Sequence, residues 1–179
     1  MISRTASVCA VAGVAAYLLA CRPTQEQAVS QNELIARSLV DAIQAADTAT
    51  IVELFWPEAT YDDYASQLQH RGTDEILGYL TSLHDWADDV YLNVGAVHVS
   101  ATGAVAEWIF AGVQARPMGE LVPVATGLEV TANGVTILEI DGGRIRRGAD
   151  YMDTSSMLLQ LGGRMELPGG SVLELDVPR

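Results

Sequence analysis

The chain has 179 residues, of which 49% are hydrophobic, and this is enough for one domain with its own apolar core. It carries 23 acidic and 10 basic residues, and its formal net charge is -13. Because a surface of this sign repels phosphate backbones, we expect no nucleic-acid partner.

The first 21 residues have the pattern of an export signal. Arg4 precedes an apolar run from Ala6 to Ala20, and Cys21 follows the run. The run is too short to span a membrane comfortably. The segment Leu18-Leu19-Ala20-Cys21 resembles the lipobox of bacterial lipoproteins. This resemblance implies that residues 1–20 are removed and that Cys21 is lipidated. An ordinary signal peptide or an uncleaved anchor is the alternative.

Lipidation of Cys21 would hold the domain outside the cytoplasm, anchored to the membrane without spanning it. In the resembled system an aspartate after the cysteine retains the protein in the inner membrane. Arg22 stands at that position here, which favours the outer membrane of a two-membrane host. The other cysteine, Cys9, lies within the signal, so the mature domain can form no intramolecular disulfide. The polar segment 21–29 is interpreted as a tether.

Two helices are predicted after the tether. Ser30 and Glu33 have the spacing of a capping box, and the apolar residues that follow them predict a helix over residues 31–46. Asp47 can cap a second, shorter helix, which Pro57 closes because proline cannot continue it.

A strand and a third helix come next. Residues 59–64 are of β type and place Tyr61 and Asp63 on one face and Asp62 on the other. The pair Gly72-Thr73 then predicts a turn and the start of a helix with an apolar stripe.

The second half of the chain is rich in β-type residues. The short turns Ala101-Thr102-Gly103 and Asp141-Gly142-Gly143 predict antiparallel hairpins. Asp153 is positioned to cap a helix over residues 154–161. Four long segments have the alternating character of strands: residues 90–100, 104–116, 128–140 and 144–151.

Helices first and a curved antiparallel sheet afterwards predict an α+β fold in which one face of the sheet wraps over the helices. Such wrapping leaves a cavity at the open end. Residues 117–127 are predicted to form a loop at the rim, and residues 169–177 a final edge strand. We expect one domain over residues 30–163 and a C-terminal extension over residues 164–179.

The last strand and helix carry a family resemblance. Gly143-Arg144-Ile145 is followed by Asp150, Asp153 and the run Met157-Leu158-Leu159-Gln160-Leu161-Gly162. In these residues the chain resembles the SnoaL-like polyketide and ester cyclases. The resemblance covers about residues 30–163, and it implies the cone-shaped fold of the nuclear-transport-factor-2-like superfamily.

This resemblance also implies roles for individual residues. Asp150 stands where the cyclases place the aspartate that acts as general acid and base, whereas Thr136 occupies their histidine position. Limonene-epoxide hydrolases, a sister family, activate water with the aspartate of a similar stretch, here Ala149 to Asp153. Ketosteroid isomerases place a base aspartate at the position of Asp63. The chain completes none of these three catalytic sets.

Asp150 and Asp63 are therefore the candidate catalytic groups. A carboxyl in an apolar cavity ionises with difficulty, so its pKa rises and it can exchange protons near neutral pH. The alternative for Asp150 is an ion pair with Arg146 or Arg147 on a solvated strand. The alternative for Asp63 is a turn-forming or surface carboxylate next to Asp62.

Five further residues are candidates for the wall of a substrate pocket. Proton transfer next to a ketone needs a hydrogen-bond donor at the developing oxyanion, and Tyr61, Trp108 and Tyr151 can supply one. Thr136 is a candidate because it occupies the cyclase histidine position. His98 alternates with inward-facing residues, so we place it in the pocket; a simple hydrogen-bonded histidine is the alternative.

Two functions of different classes remain open at this point. The first is a lipid-anchored protein that binds a small apolar molecule in its cone, with aspartate-based isomerase, cyclase or hydrolase chemistry. The second is a noncatalytic ligand-binding or dimerisation module.

We expect no cofactor. We also expect no metal, because His84 and Asp88 have no third ligand at a recognisable spacing. A homodimer is the expectation for proteins of this superfamily with an open sheet face.

Overall fold

The computed structural model describes residues 24–174. The main strands form a curved sheet, and helices pack on its inner face. The helices are α1 (Gln25–Gln44), α2 (Thr48–Leu54), α3 (Gly72–Thr81), α4 (Leu83–Trp86) and α5 (Thr154–Gln160). The strands are β1 (Phe55–Asp63), β2 (Leu68–Arg71), β3 (Ala87–Ser100), β4 (Gly103–Gln114), β5 (Glu129–Asp141), β6 (Arg144–Met152), β7 (Arg164–Glu166) and β8 (Val172–Glu174). The export signal and the lipidation site Cys21 lie outside the described residues.

Helix α1 begins at Gln25 and not at Gln31 as predicted. Thr24 and Gln27 form the capping box: each side chain accepts a hydrogen bond from the backbone N–H of the other residue. The residues between this capping box and the predicted one at Ser30 and Glu33 are compatible with a helix. The helix therefore extends back to Thr24. The part of the expected tether that the structure describes after Thr24 is therefore helical.

The main sheet has the strand order β2-β1-β6-β5-β4-β3. Both predicted hairpins are present, since β3 pairs with β4 and β5 pairs with β6 in antiparallel fashion. The α+β class and the curved sheet are confirmed. One pairing departs from the expected antiparallel pattern: β1 and β6 run parallel. They can do so because most of the sheet lies between them in the chain, so no hairpin joins them.

The inner face of the sheet packs against α1 and α3. Leu39 and Val40 of α1 and Ile76 and Leu80 of α3 are buried there. Full burial of one such side chain contributes ~2 kcal/mol. Phe110 on β4 is also buried, next to residues that alternate between the two faces of the strand. The helices therefore cover the inner face, and the sheet curves around them.

Two β segments differ from the sequence-based expectation. Leu68–Arg71 forms the edge strand β2, which was not predicted from the sequence. The expected edge strand near the C terminus pairs instead with β7 in a separate two-stranded sheet. Gly169 and Gly170 have positive φ angles, and Gly170 donates a hydrogen bond to the carbonyl of Leu167. This tight turn reverses the chain, so β8 pairs with β7 and not with the main sheet.

Other expectations from the sequence hold. Asp47 caps α2, and Asp153 caps α5 through a hydrogen bond from the backbone N–H of Ser156. Helix α4 also ends at Trp86, before the acidic pair Asp88-Asp89, and the helix dipole disfavours negative charge at this end of a helix. Within residues 24–174, no helix is long and apolar enough to span a membrane.

Candidate active site

Asp150 on β6 is the centre of a hydrogen-bond network on the inner face of the sheet. Its side chain is buried, with 8% of the residue exposed. One carboxylate oxygen accepts hydrogen bonds from the Tyr61 hydroxyl at 2.8 Å and the Thr136 hydroxyl at 2.5 Å. The other accepts one from the Tyr79 hydroxyl at 3.2 Å. Three hydroxyl groups from three elements therefore hold this carboxyl in one position.

The ion-pair alternative for Asp150 is wrong. Arg147 extends over the outer face of the sheet, where it pairs with Asp62 at 2.6 Å and with Glu139 at 3.2 Å. Arg146 also lies near Glu139, at 3.8 Å. The arginines beside Asp150 in the sequence thus neutralise other carboxylates, and Asp150 accepts bonds from neutral donors instead.

Strand register brings Asp63 and Thr136 beside Asp150. Asp63 is the partner of Asp150 in the parallel β1–β6 pair, and Thr136 is its partner in the antiparallel β5–β6 pair. Directly paired residues point to the same face of a sheet. Asp63, Asp150 and Thr136 therefore form a row on the inner face, and all three line one cavity.

Two glycines make room for aromatic rings in this network. Tyr61 lies opposite Gly148, and Trp108 lies opposite Gly134. A Cβ would lie 2.3 Å from the Tyr61 ring at position 148 and 2.2 Å from the Trp108 ring at position 134. Each ring therefore crosses the neighbouring strand where that strand has no side chain. The Trp108 indole N–H then reaches the Thr136 hydroxyl at 2.9 Å.

Asp63 has two functions in the structure. Its carboxylate accepts hydrogen bonds from the backbone N–H groups of Ala65 and Ser66, which is an Asx-type turn at the end of β1. The residue is also buried, with 4% exposed, and it lines the cavity. The turn-forming alternative from the sequence is therefore observed, but at a buried position next to Asp150.

The cavity next to Asp150 has a volume of about 390 Å³. Its wall is mainly apolar and comes from helices, sheet and the loop after β4; apolar residues in it include Ile43, Leu83, Trp86, Phe110, Met118 and Met157. None of the described residues that line it is an arginine, and the sequence contains no lysine. The two aspartates therefore face a mainly apolar space, and among the described residues neither arginine nor lysine lines it.

The environment of Asp150 favours its neutral form. Burial raises the pKa of this carboxyl, and the nearby Asp63 raises it further, although hydrogen bonds from Thr136, Tyr61 and Tyr79 oppose the rise. Burial also raises the pKa of Tyr61 and of Tyr79, and the Asp150 carboxylate adds to both shifts. Both tyrosines are consequently protonated at neutral pH and can act as donors.

Two predicted pocket residues, Tyr151 and His98, lie outside the cavity. Tyr151 follows Asp150 in a strand, so it points to the outer face, where it is 46% exposed and stacks on Tyr64. His98 lies on the outer face beside Glu107. The alternation that placed it inside is reversed by a bulge in β3, since the register with β4 shifts after Val94.

The other three predicted pocket residues belong to the network. Trp108 and Thr136 line the cavity. Tyr61 reaches Asp150 with its hydroxyl, but its ring is fully buried under the cavity wall and does not form part of that wall. Tyr61 therefore contacts Asp150 from behind the cavity wall.

The sequence-based reasoning missed Tyr79 and His70. Tyr79 follows Ile76 by three residues and precedes Leu80, so it lies on the buried stripe of α3, and this spacing could have identified it. His70 is the partner of Tyr61 in the β1–β2 pair, and its ring stacks on Tyr79 at 4.5 Å. It could not be placed because the strand β2 itself was not predicted.

Residues 24–174 contain no group of three histidine, cysteine, aspartate or glutamate side chains that could hold a metal. His84 and Asp88, four residues apart, do not converge. A ring nitrogen of His84 is bonded to the carbonyl of Ile43, and Asp88 pairs with Arg116.

A curved sheet that encloses helices and a cavity with a buried acid is the nuclear-transport-factor-2-like, or ketosteroid-isomerase-like, fold. The chain belongs to the family of SnoaL-like domains, which it matches over residues 36–148. The match ends before Asp150, so membership of the family does not by itself assign a role to this residue. Among curated protein sequences none matches the chain.

Solved structures share the fold at low sequence identity. A proposed SnoaL-like polyketide cyclase from Jannaschia sp. CCS1 has a TM-score of 0.67 and 18% identity, over 75% of this chain and 93% of that one. IdmH from Streptomyces antibioticus, a proposed polyketide cyclase, has a TM-score of 0.65 and 21% identity, over 74% of this chain and 99% of that one. An epoxide hydrolase of the LEH-like type from M. tuberculosis has a TM-score of 0.56 and 18% identity, over 78% of this chain and 92% of that one.

Proposed function

We propose that the protein binds a small, largely apolar molecule in the cavity and that Asp150 exchanges a proton with it. The observation that carries this proposal is a buried carboxyl of raised pKa in the wall of an apolar cavity. The cavity volume of about 390 Å³ falls in the range of small-molecule sites. A raised pKa brings the carboxyl nearer to the pH at which it can both accept and donate a proton.

The chemistry follows from the groups around Asp150. In its ionised form Asp150 accepts a proton from a carbon next to a carbonyl, and the electron pair of the broken C–H bond moves to the carbonyl oxygen. Tyr79 is the donor for that oxygen, because it lines the cavity and its bond to Asp150 is the longest of the three. Asp150 then returns the proton to the substrate. A bound water is the other proton source, and its activation would give hydrolase chemistry.

Three further side chains hold the Asp150 carboxyl in place. Tyr61 and Thr136 share one oxygen of Asp150, and Trp108 orients the Thr136 hydroxyl. Because the chain contains no lysine, a covalent imine with a lysine is excluded. We therefore assign the reaction to proton transfer of the isomerase, cyclase or hydrolase type.

The proposal includes an extracytoplasmic location. It rests on the lipobox-like segment that ends in Cys21. A Cys21→Ser variant is expected to lose incorporation of radiolabelled palmitate and to leave the membrane fraction of the host. Equal labelling of both proteins would contradict lipidation at this residue.

A second candidate is a noncatalytic ligand-binding or dimerisation module. It is favoured by the three hydrogen bonds that Asp150 already accepts inside the protein. It is also favoured by the outer face of the sheet, which exposes Tyr91, Ile109 and Tyr151. In this case Asp150 contributes to the cavity wall only as a hydrogen-bonded polar group.

Exchange of α-protons distinguishes the two candidates. 2-Tetralone in D₂O serves as a ketone probe, and loss of its α-proton signals is followed by NMR with and without protein. The Asp150→Asn variant is expected to lower the protein-dependent rate by about 100-fold or more. Asp62→Asn is the matched control, because Asp62 lies on the outer face beside Asp63 and should leave the rate unchanged.

The same proteins serve for a search for the natural ligand. Small molecules that co-purify with the native protein and with Asp150→Asn are compared by mass spectrometry. A substrate that accumulates on the variant and a product that appears with the native protein would support the catalytic function. Equal ligand sets, together with no proton exchange by the native protein, would favour the binding module.

A further inference from the structure

Two polar atoms of the cavity residues have no hydrogen-bond partner among the described residues. They are His70 Nε2 and Thr154 Oγ1, both buried. Both residues line the cavity that contains Asp150. A buried polar atom without a partner costs about 1–3 kcal/mol, so folded proteins retain few of them. Because both residues line one cavity, a molecule bound there is a candidate partner for the two atoms.

The two residues flank Asp150. His70 is opposite Tyr61, which is opposite Gly148, two residues before Asp150 on β6. Two strand residues correspond to roughly 7 Å. Thr154 lies beyond Asp150 on the other side, at the start of α5. A molecule that contacts both groups therefore extends past the Asp150 carboxyl.

The His70 ring is held in a defined orientation. It stacks on the Tyr79 ring with a centroid distance of 4.5 Å and an angle of 17° between the planes. Tyr79 in turn donates a hydrogen bond to Asp150. The position of the His70 nitrogen is consequently coupled to the position of the proposed donor.

Charge and bonding capacity restrict the chemistry of the molecule. Asp63 and Asp150 line the cavity and no arginine among the described residues does, so an anionic ligand is disfavoured. A neutral imidazole has one donor and one acceptor nitrogen, and a hydroxyl group can act in either way. We propose that His70 and Thr154 bind the two ends of an uncharged, apolar molecule that bears a keto or hydroxyl oxygen at each end. This inference rests on the proposed binding of a small apolar molecule in the cavity.

A matched series of rigid probes tests the proposal without any proton transfer. The probes are biphenyl, 4-hydroxybiphenyl and 4,4′-dihydroxybiphenyl, which share a core and carry no, one or two terminal oxygens. Binding to the native protein is measured by fluorescence titration. The affinity is expected to rise with each hydroxyl, and the anion biphenyl-4,4′-dicarboxylate is expected not to bind.

Two conservative variants identify the groups that bind the oxygens. His70→Phe keeps a ring against Tyr79 and removes the nitrogen, and Thr154→Val removes the hydroxyl at constant shape. Each is expected to weaken binding of 4,4′-dihydroxybiphenyl by about fivefold to tenfold and that of biphenyl by less than about twofold. His98→Phe, on the outer face, is the control for the histidine substitution.

The proposal is decided by whether the native protein binds the hydroxylated probes more tightly than biphenyl. Biphenyl binding by the native protein without any preference for hydroxyl groups would overturn this inference and leave the proposed cavity binding intact. Equal losses for all three probes in His70→Phe and Thr154→Val would also overturn it, because they would show a structural effect. Failure of all three probes to bind would contradict both the inference and the binding on which it rests.

Discussion

Gly148 lies directly opposite Tyr61 in the β1–β6 pair, and a Cβ added at position 148 would lie 2.3 Å from the Tyr61 ring. The missing side chain is therefore what allows the Tyr61 ring to cross β6. From there its hydroxyl reaches Asp150, two residues further along the same strand. A glycine in the sheet and a buried acid are thus parts of one arrangement.

The first prediction concerns Gly148→Ala. The new methyl group cannot avoid the rigid Tyr61 ring, so we expect the free energy of unfolding to fall by about 1–3 kcal/mol. Urea unfolding measures this change. Gly78→Ala is the matched control, because nothing lies within 4 Å of an added Cβ at this position in α3. There the same substitution should stabilise the protein by about 0.5–1 kcal/mol. Equal effects at the two positions would contradict the close packing at Gly148.

The second prediction concerns the donors to Asp150. Tyr61→Phe and Tyr79→Phe each remove a hydroxyl group that stabilises the ionised carboxylate, so each should raise the pKa of Asp150 further. The carboxyl carbon of ¹³C-labelled aspartate, followed by NMR across a pH titration, reports this pKa. Tyr91→Phe on the exposed outer face is the control and should not change it. A lower pKa in either buried variant would contradict the hydrogen bonds described.

The third prediction concerns the pH dependence that Asp150 confers on stability. Its pKa is raised in the folded protein, so between the unfolded value of about 3.9 and the folded value the folded state binds more protons. Stability from this group is therefore greatest at low pH and is lost as the pH rises through the folded pKa. Asp150→Asn lacks this loss. Its free energy of unfolding minus that of the native protein should increase from pH 4 to pH 8, and a constant difference would contradict the raised pKa.

The fourth prediction concerns Asp62, whose behaviour is opposite. Burial raises the pKa of this carboxyl, but hydrogen bonds from Gln69 and Arg147 outweigh that effect, and the pKa is lowered in the folded protein. Stability from this group is present above the unfolded pKa and is lost as the pH falls. Asp62→Asn should therefore cost about 1 kcal/mol at pH 7 and progressively less toward pH 3.

A double-mutant cycle assigns this cost to the ion pair. Arg147→Met alone and Asp62→Asn alone each remove the pair, so the two losses should not add in the double variant. Urea unfolding of the four proteins at pH 7 provides the coupling energy. Fully additive losses would show that Asp62 and Arg147 act independently.

Part of this structure is decided by local sequence. Alternation of residue types and the glycine-containing turn Asp141-Gly142-Gly143 predicted the hairpins, because side-chain direction in a strand has a period of two residues. The same alternation correctly separates Asp62 from Asp63 on the two faces of β1. Caps such as Asp47 and Asp153 were also predictable, since a capping side chain binds backbone groups only a few residues away.

By itself, then, the sequence determined the element types, the α+β class and the choice of Asp150 as the candidate acid. Only the tertiary structure decided what surrounds that acid. Asp63 comes beside it through the parallel pairing of β1 with β6, and Tyr79 comes beside it through the packing of α3. The bulge in β3 placed His98 outside by reversing the faces of the strand. Register, bulges and packing join residues that are distant in the chain, and the free energy that selects them depends on the whole core.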